Sequence, residues 1–488
     1  MSLRDSVLGG LSWSLASRVG TQAFQFVFQI ALARLLTPQE FGVVGMLLIF
    51  IGFAQTLADC GLSSALVYDQ NASDSQFSTV FWLQLAAGAI LSAAFFMGAP
   101  LFASFYGTPA LEPLSRLVAP IFLLQALGQT HFALLSKNFR FKQLAVVSVS
   151  SIFGSGAFAV VLAKLDYGVW ALAWQALVAT IISTGLLWFQ SRWVPNLRFD
   201  RADAMRLGKY GIYLLGHASL NYWLRNADKL AIGRFLGAHD LGIYSRAYSL
   251  MLLPLNNISA VLGQVMFPAL ARLQNDANRF RAVYVSATRM IALVSFPLMI
   301  GVASLCEPLI LLLLGDKWSE VIPVLQILSF VGLIQSVVFP VGWIFTALGK
   351  TKDQFYLSIL LSLIFVLLVG AGLLYGIVGI ALGYACWTVI SGWLNLHIAG
   401  RYVALPVMTV VVSLVRILGM ALVMGALVFG VDQTVLSGSP TLLRLTCGAI
   451  LGVTSYAAMC FLSKDATFLE LSGYLSSRLN LPIRIFSR

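Results

Sequence analysis

Long apolar runs alternate with short polar connectors along the chain. A helix needs about 20 residues to cross a bilayer. Runs of that order lie near 10–35, 41–66, 78–104, 115–135, 143–163, 168–190, 210–235, 241–268, 285–314, 321–348, 354–375, 377–400, 407–430 and 442–463. The pattern predicts an all-α polytopic membrane protein with about 14 transmembrane helices. The connectors are short, which leaves no room for a large extramembrane domain.

Two of these runs match at an offset of 200 residues. The stretch ALARLLTPQEFG (31–42) aligns without a gap with AIGRFLGAHDLG (231–242). Ala31/Ala231, Arg34/Arg234, Leu36/Leu236 and Gly42/Gly242 are identical, and Glu40/Asp240 keeps the acid. Both stretches close a helical hairpin, where the Arg34–Glu40 and Arg234–Asp240 pairs are expected to pin the turn. The implied repeat unit is six spans. An even number makes both copies point the same way, so the pseudo-twofold axis should run along the membrane normal. The expected organisation is an N-lobe over 1–200, a C-lobe over 201–404, and two further helices with a cytoplasmic tail over 405–488.

Polar positions inside the first and seventh spans break the apolar pattern in a regular way. Ser17, Thr21, Gln25 and Gln29 recur every four residues, flanked by Ser14, Arg18 and Gln22. At the 200 offset, His217, Asn221, Arg225 and Lys229 form the same series, with Asp228 alongside. Each series is one helical face. The simplest place for two such faces is a water-filled cleft between the lobes. Arg225 lies about 13 Å from the outer end of its span at 1.5 Å per residue. A basic residue that deep costs about 2.5–3.5 kcal/mol in lipid. Arg18 and Asp59 fall at similar depth on adjacent antiparallel spans and are expected to pair. Asp228 has Arg225 and Lys229 beside it. Setting Asp59 and Asp228 against Arg18, Arg225 and Lys229 leaves one surplus positive charge. That surplus either holds an anion in the cleft or is neutralised within the protein.

Composition agrees with a lipid solvent. Of 488 residues, 59% are apolar and 10% charged, against about a quarter charged in soluble domains. Soluble enzymes, disordered chains and disulfide scaffolds are excluded on that ground. A net charge of +12 is no sign of nucleic acid here, because the basic residues sit in connectors. Lys137, Arg140 and Lys142, then Arg192, Arg198, Arg201, Arg206 and Lys209, and later Arg272, Arg279 and Arg281 cluster on one side. That bias puts both termini in the cytoplasm. The opening MSLRDSVLGGLSWSLASRVG carries charges and no uninterrupted apolar core, so the first helix is expected to remain in the protein. Cys60, Cys306, Cys386, Cys447 and Cys460 are scattered in apolar runs and read as small buried residues. Pro120, Pro254, Pro297 and Pro340 are expected to kink their spans. The small residues of GAGLLYGIVGIALG (370–383) should permit close helix packing. His131 and His217 are either packing residues or carriers of a coupling proton.

No nucleotide-binding loop, metal-spaced Cys/His set or nucleophile–base arrangement is present in the sequence. The chain is therefore not expected to be an enzyme or to need a cofactor or metal. The stretches LARLLTPQEFGVVG (32–45), NADKLAIGRFLGAHDLGIYSRAYSLMLLPL (226–255), FPALARLQNDANRFRAVY (267–284) and LLGDKWSEVIPVLQIL (313–328) resemble the Wzx-type flippases of O-antigen, colanic acid and related exopolysaccharides. These belong to the multidrug/oligosaccharidyl-lipid/polysaccharide (MOP) exporter superfamily. The resemblance implies two six-helix lobes plus two helices in a bacterial cytoplasmic (inner) membrane. It implies an undecaprenyl-pyrophosphate-linked oligosaccharide flipped to the periplasmic leaflet through a cationic cavity. Carried onto this chain, the cationic positions are Arg18, Arg225 and Lys229, with Gln22, Gln25, Gln29 and Asn221 lining the cleft. Asp59 and Asp228 are charge partners or ion-coupling groups, with proton or sodium left open. Spans 2 to 6 add no arginine cluster to that set. A monomer is expected. The alternative is a drug or metabolite antiporter of the same fold. A membrane glycan polymerase or ligase would need a sizeable outer loop, and a scaffold would not need paired polar stripes.

Overall fold

The computed structural model describes residues 3–59, 74–197, 219, 222, 223, 225–463 and 468; the side chains of 3–17, 58, 59, 256–262, 264 and 265 lie outside that description. The described residues form helices joined by turns, with no strand among them. The chain divides into two compact units, Met1–Gly242 and Ile243–Arg488.

The first unit opens with α1 (Leu3–Leu35) and α2 (Pro38–Asp59). The turn between them starts α2 with a reciprocal cap: Glu40 Oε2 accepts from the Thr37 backbone N–H at 2.7 Å and from the Thr37 hydroxyl at 2.8 Å. Pro38 sits at the first helical position, where its missing N–H costs nothing. Next come α3 (Asp74–Met97) and the eight-residue α4 (Ala99–Tyr106), which ends on Gly107 at φ 65°. The stretch 115–135 is not one helix. It is split into α5 (Leu111–Val118) and α6 (Pro120–Lys137), because Pro120 cannot continue the preceding hydrogen-bond ladder. The unit continues through α7 (Phe141–Lys164), α8 (Val169–Ser191) and the helix 225–235, α9. Helix α1 lies along α7, α7 along α8, α3 along α6, and α6 along α8. Small residues set the spacing. Phe28 of α1 seats on Gly156 of α7, and Gly88 of α3 lies against the Phe122 carbonyl of α6. A cluster of Leu32, Leu36, Val44, Ala159, Ala163, Ala171 and Leu172 closes the turn end of α1, α2, α7 and α8.

Helix α10 (Ala238–Arg272) begins in the first unit and runs on into the second with Pro254 and Pro268 inside it. A long helix, α11 (Ala277–Ser304), is followed by an eight-residue one, α12 (Cys306–Leu313), as α3 is by α4. Helices α13 (Val321–Val338) and α14 (Val341–Ala347) are divided at Phe339–Pro340. They are followed by α15 (Thr351–Gly372) and α16 (Gly376–Tyr402), then α17 (Val407–Thr434) and α18 (Thr441–Leu462). The small-residue stretch does what its composition predicts: Gly372 and Gly379 leave no room for a Cβ against each other's backbone, and Gly383 faces the Leu368 carbonyl.

Among the described residues, ten stretches are long and apolar enough to cross a membrane; one of them, Thr351–Tyr402, contains both α15 and α16. Apolar side chains cover the outside of these helices. Leu363, Leu367, Val412, Leu422, Ile450 and Val453 are all more than half exposed. Exposed apolar surface on this scale has no place in water, and the chain is an integral membrane protein. Cys306 and Cys460 are buried as expected, whereas Cys386 is exposed.

Candidate functional site

Both polar series belong to the first unit. On α1, Arg18, Gln22 and Gln25 are exposed, Gln29 is half-buried, and Leu32, Ala33 and Leu36 are buried. The α9 series follows the same course. Arg225 is exposed, Lys229 is half-buried, and Ile232 is fully buried. The two equivalent faces thus pass from accessible and polar to dry and apolar as they approach their turns. Thr21 Oγ1 donates to the Arg18 carbonyl at 3.0 Å, and Asn226 Nδ2 to the Tyr222 carbonyl at 2.9 Å. Each of these bonds ties a polar side chain back to the preceding turn of its own helix. Asp228 is 2% exposed. Its Oδ1 accepts from the Lys229 backbone N–H at 2.8 Å. Asn221 and the Asp59 side chain lie outside the described residues, as do His217 and the expected Arg18–Asp59 contact.

The two repeated turns meet inside this unit. Gly42 presses on the Ala238 carbonyl oxygen, and Gly242 presses on the Pro38 carbonyl oxygen. Positions 38 and 238, like 42 and 242, are equivalents at the 200 offset, so the contact is reciprocal. Around it Met46, Leu47, Ile232 and Leu241 are at most 1% exposed. One expectation about these turns fails. The Arg234 guanidinium lies over the Phe105 and Phe235 rings at 5.7 and 6.0 Å, and Asp240 has His239 beside it at 3.5 Å. An aromatic face competes well for a guanidinium at a membrane boundary, where the ring excludes water.

Three constellations were not visible in the spacing. Phe50 and Phe53 of α2, Phe102, Phe105 and Tyr106 of α4, and Tyr222 and Trp223 form one aromatic cluster. The Tyr222 hydroxyl donates to the Ile49 carbonyl at 2.7 Å, across a gap kept open by Gly52. His131 of α6 is fully buried, with Nδ1 2.7 Å from the Ser191 hydroxyl and its ring among Phe81, Trp188 and Trp193. In the second unit, Arg444 of α18 joins Asp432 of α17 and Glu307 of α12. The three residues come from three separate helices, far apart in sequence.

Residues 31–323 match a sequence family described as "Polysaccharide biosynthesis protein". The chain is 28% identical to the lipopolysaccharide biosynthesis protein WzxC of Escherichia coli, over 80% of either chain. It is 28% identical to the teichuronic acid biosynthesis protein TuaB of Bacillus subtilis, over 88% of this chain and 90% of that one. It is 31% identical to the succinoglycan biosynthesis transport protein ExoT of Rhizobium meliloti, over 66% of each. Among solved structures, the fold is similar to that of the lipid II flippase MurJ in an inward closed conformation. The TM-score is 0.74 at 15% identity, covering 93% of this chain and 99% of that one. An inward-facing multidrug transporter of the MATE family within the MOP superfamily follows at 0.63 and 15% identity, covering 78% and 94%.

Proposed function

The chain belongs to the polysaccharide biosynthesis protein family, and from that premise we propose that it flips an undecaprenyl-pyrophosphate-linked oligosaccharide from the cytoplasmic to the periplasmic leaflet. Relatives aligned over four fifths or more of their length carry the reading, because polysaccharide biosynthesis is the work they are named for. The fold supports a carrier rather than a catalyst.

In this proposal fourteen helices cross the inner membrane. An N-lobe (1–200) and a C-lobe (201–404) flank a watery cleft, with 405–488 as an appendage and both termini cytoplasmic. That Thr351–Tyr402 holds two helices, α15 and α16, supports a count above the ten apolar stretches of the described residues. Arg18, Arg225 and Lys229 face the cleft and offset the cost of moving the pyrophosphate. A guanidinium as exposed as that of Arg225, on a span near the bilayer midplane, needs water or an anion beside it. Gln22, Gln25, Gln29 and Asn221 offer hydrogen bonds to sugar hydroxyls. The polyprenyl tail stays in lipid while the head crosses. Asp59 and Asp228 balance the cationic side chains or carry the coupling ion, proton or sodium. The lobes then rock around the fixed site.

The test is a strain lacking this chain. Lipid-linked oligosaccharide should accumulate on the inner leaflet and clear when the wild-type chain is restored. Arg225→Ala should insert normally and fail to clear it. Normal glycan export with Arg225→Ala would remove the anion site. The MATE-like antiporter reading predicts instead that drug resistance, not glycan export, follows the chain.

A further inference from the structure

Helix α6 ends on a strained residue. Its last turn closes as a Schellman motif, in which the Arg140 backbone N–H donates to the Leu135 carbonyl at 2.9 Å and the Phe139 N–H to the Ser136 carbonyl at 3.1 Å. The left-handed position of that motif is usually glycine. Here it is Phe139, at φ 55°. Its ring is exposed and meets Phe141 edge-on at 6.0 Å. Helix α8 also ends on a left-handed residue, Arg192 at φ 52°. Leu135 of α6, Val147 of α7 and Leu187 of α8 form one cluster, so these helix ends share one rim of the first unit. The exit from α8 is fastened to α3 at the same rim. The Asn196 N–H donates to Ser78 Oγ and the Trp82 Nε1–H to the Asn196 carbonyl, both at 2.9 Å. Lys137 Nζ lies 5.2 Å from the centre of the Phe77 ring, which also meets Trp193. Held in this way, Val194 is exposed and Leu197 is 89% exposed.

Charge at this rim is one-sided. The ends of α6, α7 and α8 carry Lys137, Arg140, Lys142 and Arg192, and the start of α3 brings one acid, Asp74. The sequence has no acid between Glu112 and Asp166, nor between Asp166 and Asp200. We propose that this rim is a binding site for an anionic phospholipid. The Phe139 ring, Val194 and Leu197 enter the acyl boundary, while Arg140, Lys142 and Arg192 take the headgroup phosphate. Long basic side chains suit that task, because their stems pack on apolar surface while their heads reach the headgroups. Basic residues at span ends also orient a chain in the membrane, but that role asks for charge alone. It asks neither for an aromatic ring at a glycine position nor for an exit segment fastened by two side-chain hydrogen bonds. A left-handed Phe strains the backbone, and water offers its exposed ring nothing that offsets the strain. A membrane interface does, since aromatic rings are favoured there. In the topology proposed above the rim lies in the cytoplasmic leaflet. The site goes beyond the carrier reading and holds whatever is carried.

The experiment uses the full chain, purified and reconstituted in vesicles of equimolar phosphatidylglycerol and phosphatidylcholine with matched acyl chains. A photoreactive benzoylphenylalanine replaces Phe139, and the captured lipid is identified by its mass. Phosphatidylglycerol should be captured at least about fivefold over phosphatidylcholine, the preference that one basic side chain near a surface supports. That excess should vanish when Arg140→Gln, Lys142→Gln and Arg192→Gln are combined, three exposed positions outside the packed core. It should also shrink as salt rises from about 0.05 M to about 1 M, as screening shortens the reach of the charges. The same photoreactive group at exposed Leu374, in the second unit, should capture both lipids equally. Equal capture at position 139 overturns the site, as does an excess that survives the triple substitution or is matched at position 374. The salt series needs no change to a basic residue, so an excess that persists at high salt overturns the site even if the triple variant fails to fold. Preferred capture of an undecaprenyl-pyrophosphate lipid over equimolar phosphatidylglycerol would assign the rim to that lipid and overturn the phospholipid. None of these readouts measures transport, so the site and the carrier reading fail separately.

Discussion

Removing the Asp432 carboxylate should destabilise the protein far more than a surface ion pair does. Arg444 donates from Nε and Nη2 to Asp432 at 2.9 and 2.7 Å, and from Nη2 to Glu307 at 2.9 Å. The Asp432 side chain is 1% exposed and that of Arg444 11%. Asp432→Ala therefore leaves a nearly dry guanidinium with Glu307, whose side chain is 46% exposed. Breaking one side of a buried pair costs about 3–5 kcal/mol. A half-exposed acid offsets no more than about 1 kcal/mol of that. The expected loss is about 2–4 kcal/mol, read from equilibrium unfolding of purified protein in mixed micelles. Replacing both partners with apolar residues, Asp432→Leu with Arg444→Met, should recover to within about 1 kcal/mol of wild type, because no buried charge is left stranded and Glu307, which loses Arg444, is 46% exposed. A single Asp432→Ala variant within about 0.5 kcal/mol of wild type would refute the reasoning. So would a double variant less stable than the single. Either result would mean that the three helices α12, α17 and α18 are not held together by this cluster.

The packing of α15 on α16 gives a cleaner contrast within one stretch. Gly372→Val or Gly379→Val should cost about 1–3 kcal/mol by overpacking, while Gly370→Ala, which faces open space, should leave unfolding unchanged. Charge reversal of Arg18 and Asp59 separately should each lower glycan export, and reversing both together should restore it; no restoration argues against a pair. Cysteine labelling should find Asp200→Cys accessible only from inside and Asp316→Cys only from outside.

What the sequence made legible was what depends on neighbours along the chain. The run 143–163 became Phe141–Lys164 and the run 377–400 became Gly376–Tyr402, because apolar length alone sets such helices. Breaks were harder. Pro120 and Pro340 were read as kinks, yet each ends one helix and starts another. The short helices α4 and α12 were hidden inside their longer runs, since hydropathy does not change at Gly98 or Leu305. The 200-residue offset identified Gly42 and Gly242 as equivalents but not as neighbours. Their contact depends on how two hairpins cross, which no local pattern encodes. The Arg234–Asp240 pair failed for the same reason: Phe105, far away in sequence, took the guanidinium. Asp432 and Glu307 are 125 residues apart, and only the fold brings both to Arg444.

The most direct measurement reconstitutes the purified chain in vesicles carrying an undecaprenyl-pyrophosphate-linked oligosaccharide in one leaflet. Glycan reaching the other leaflet is then read by an enzyme that cannot enter. The wild-type chain should move the glycan headgroup across, and Arg225→Ala should move it at least about tenfold more slowly. A chain that passes cationic drugs but leaves the glycan where it began would contradict the account.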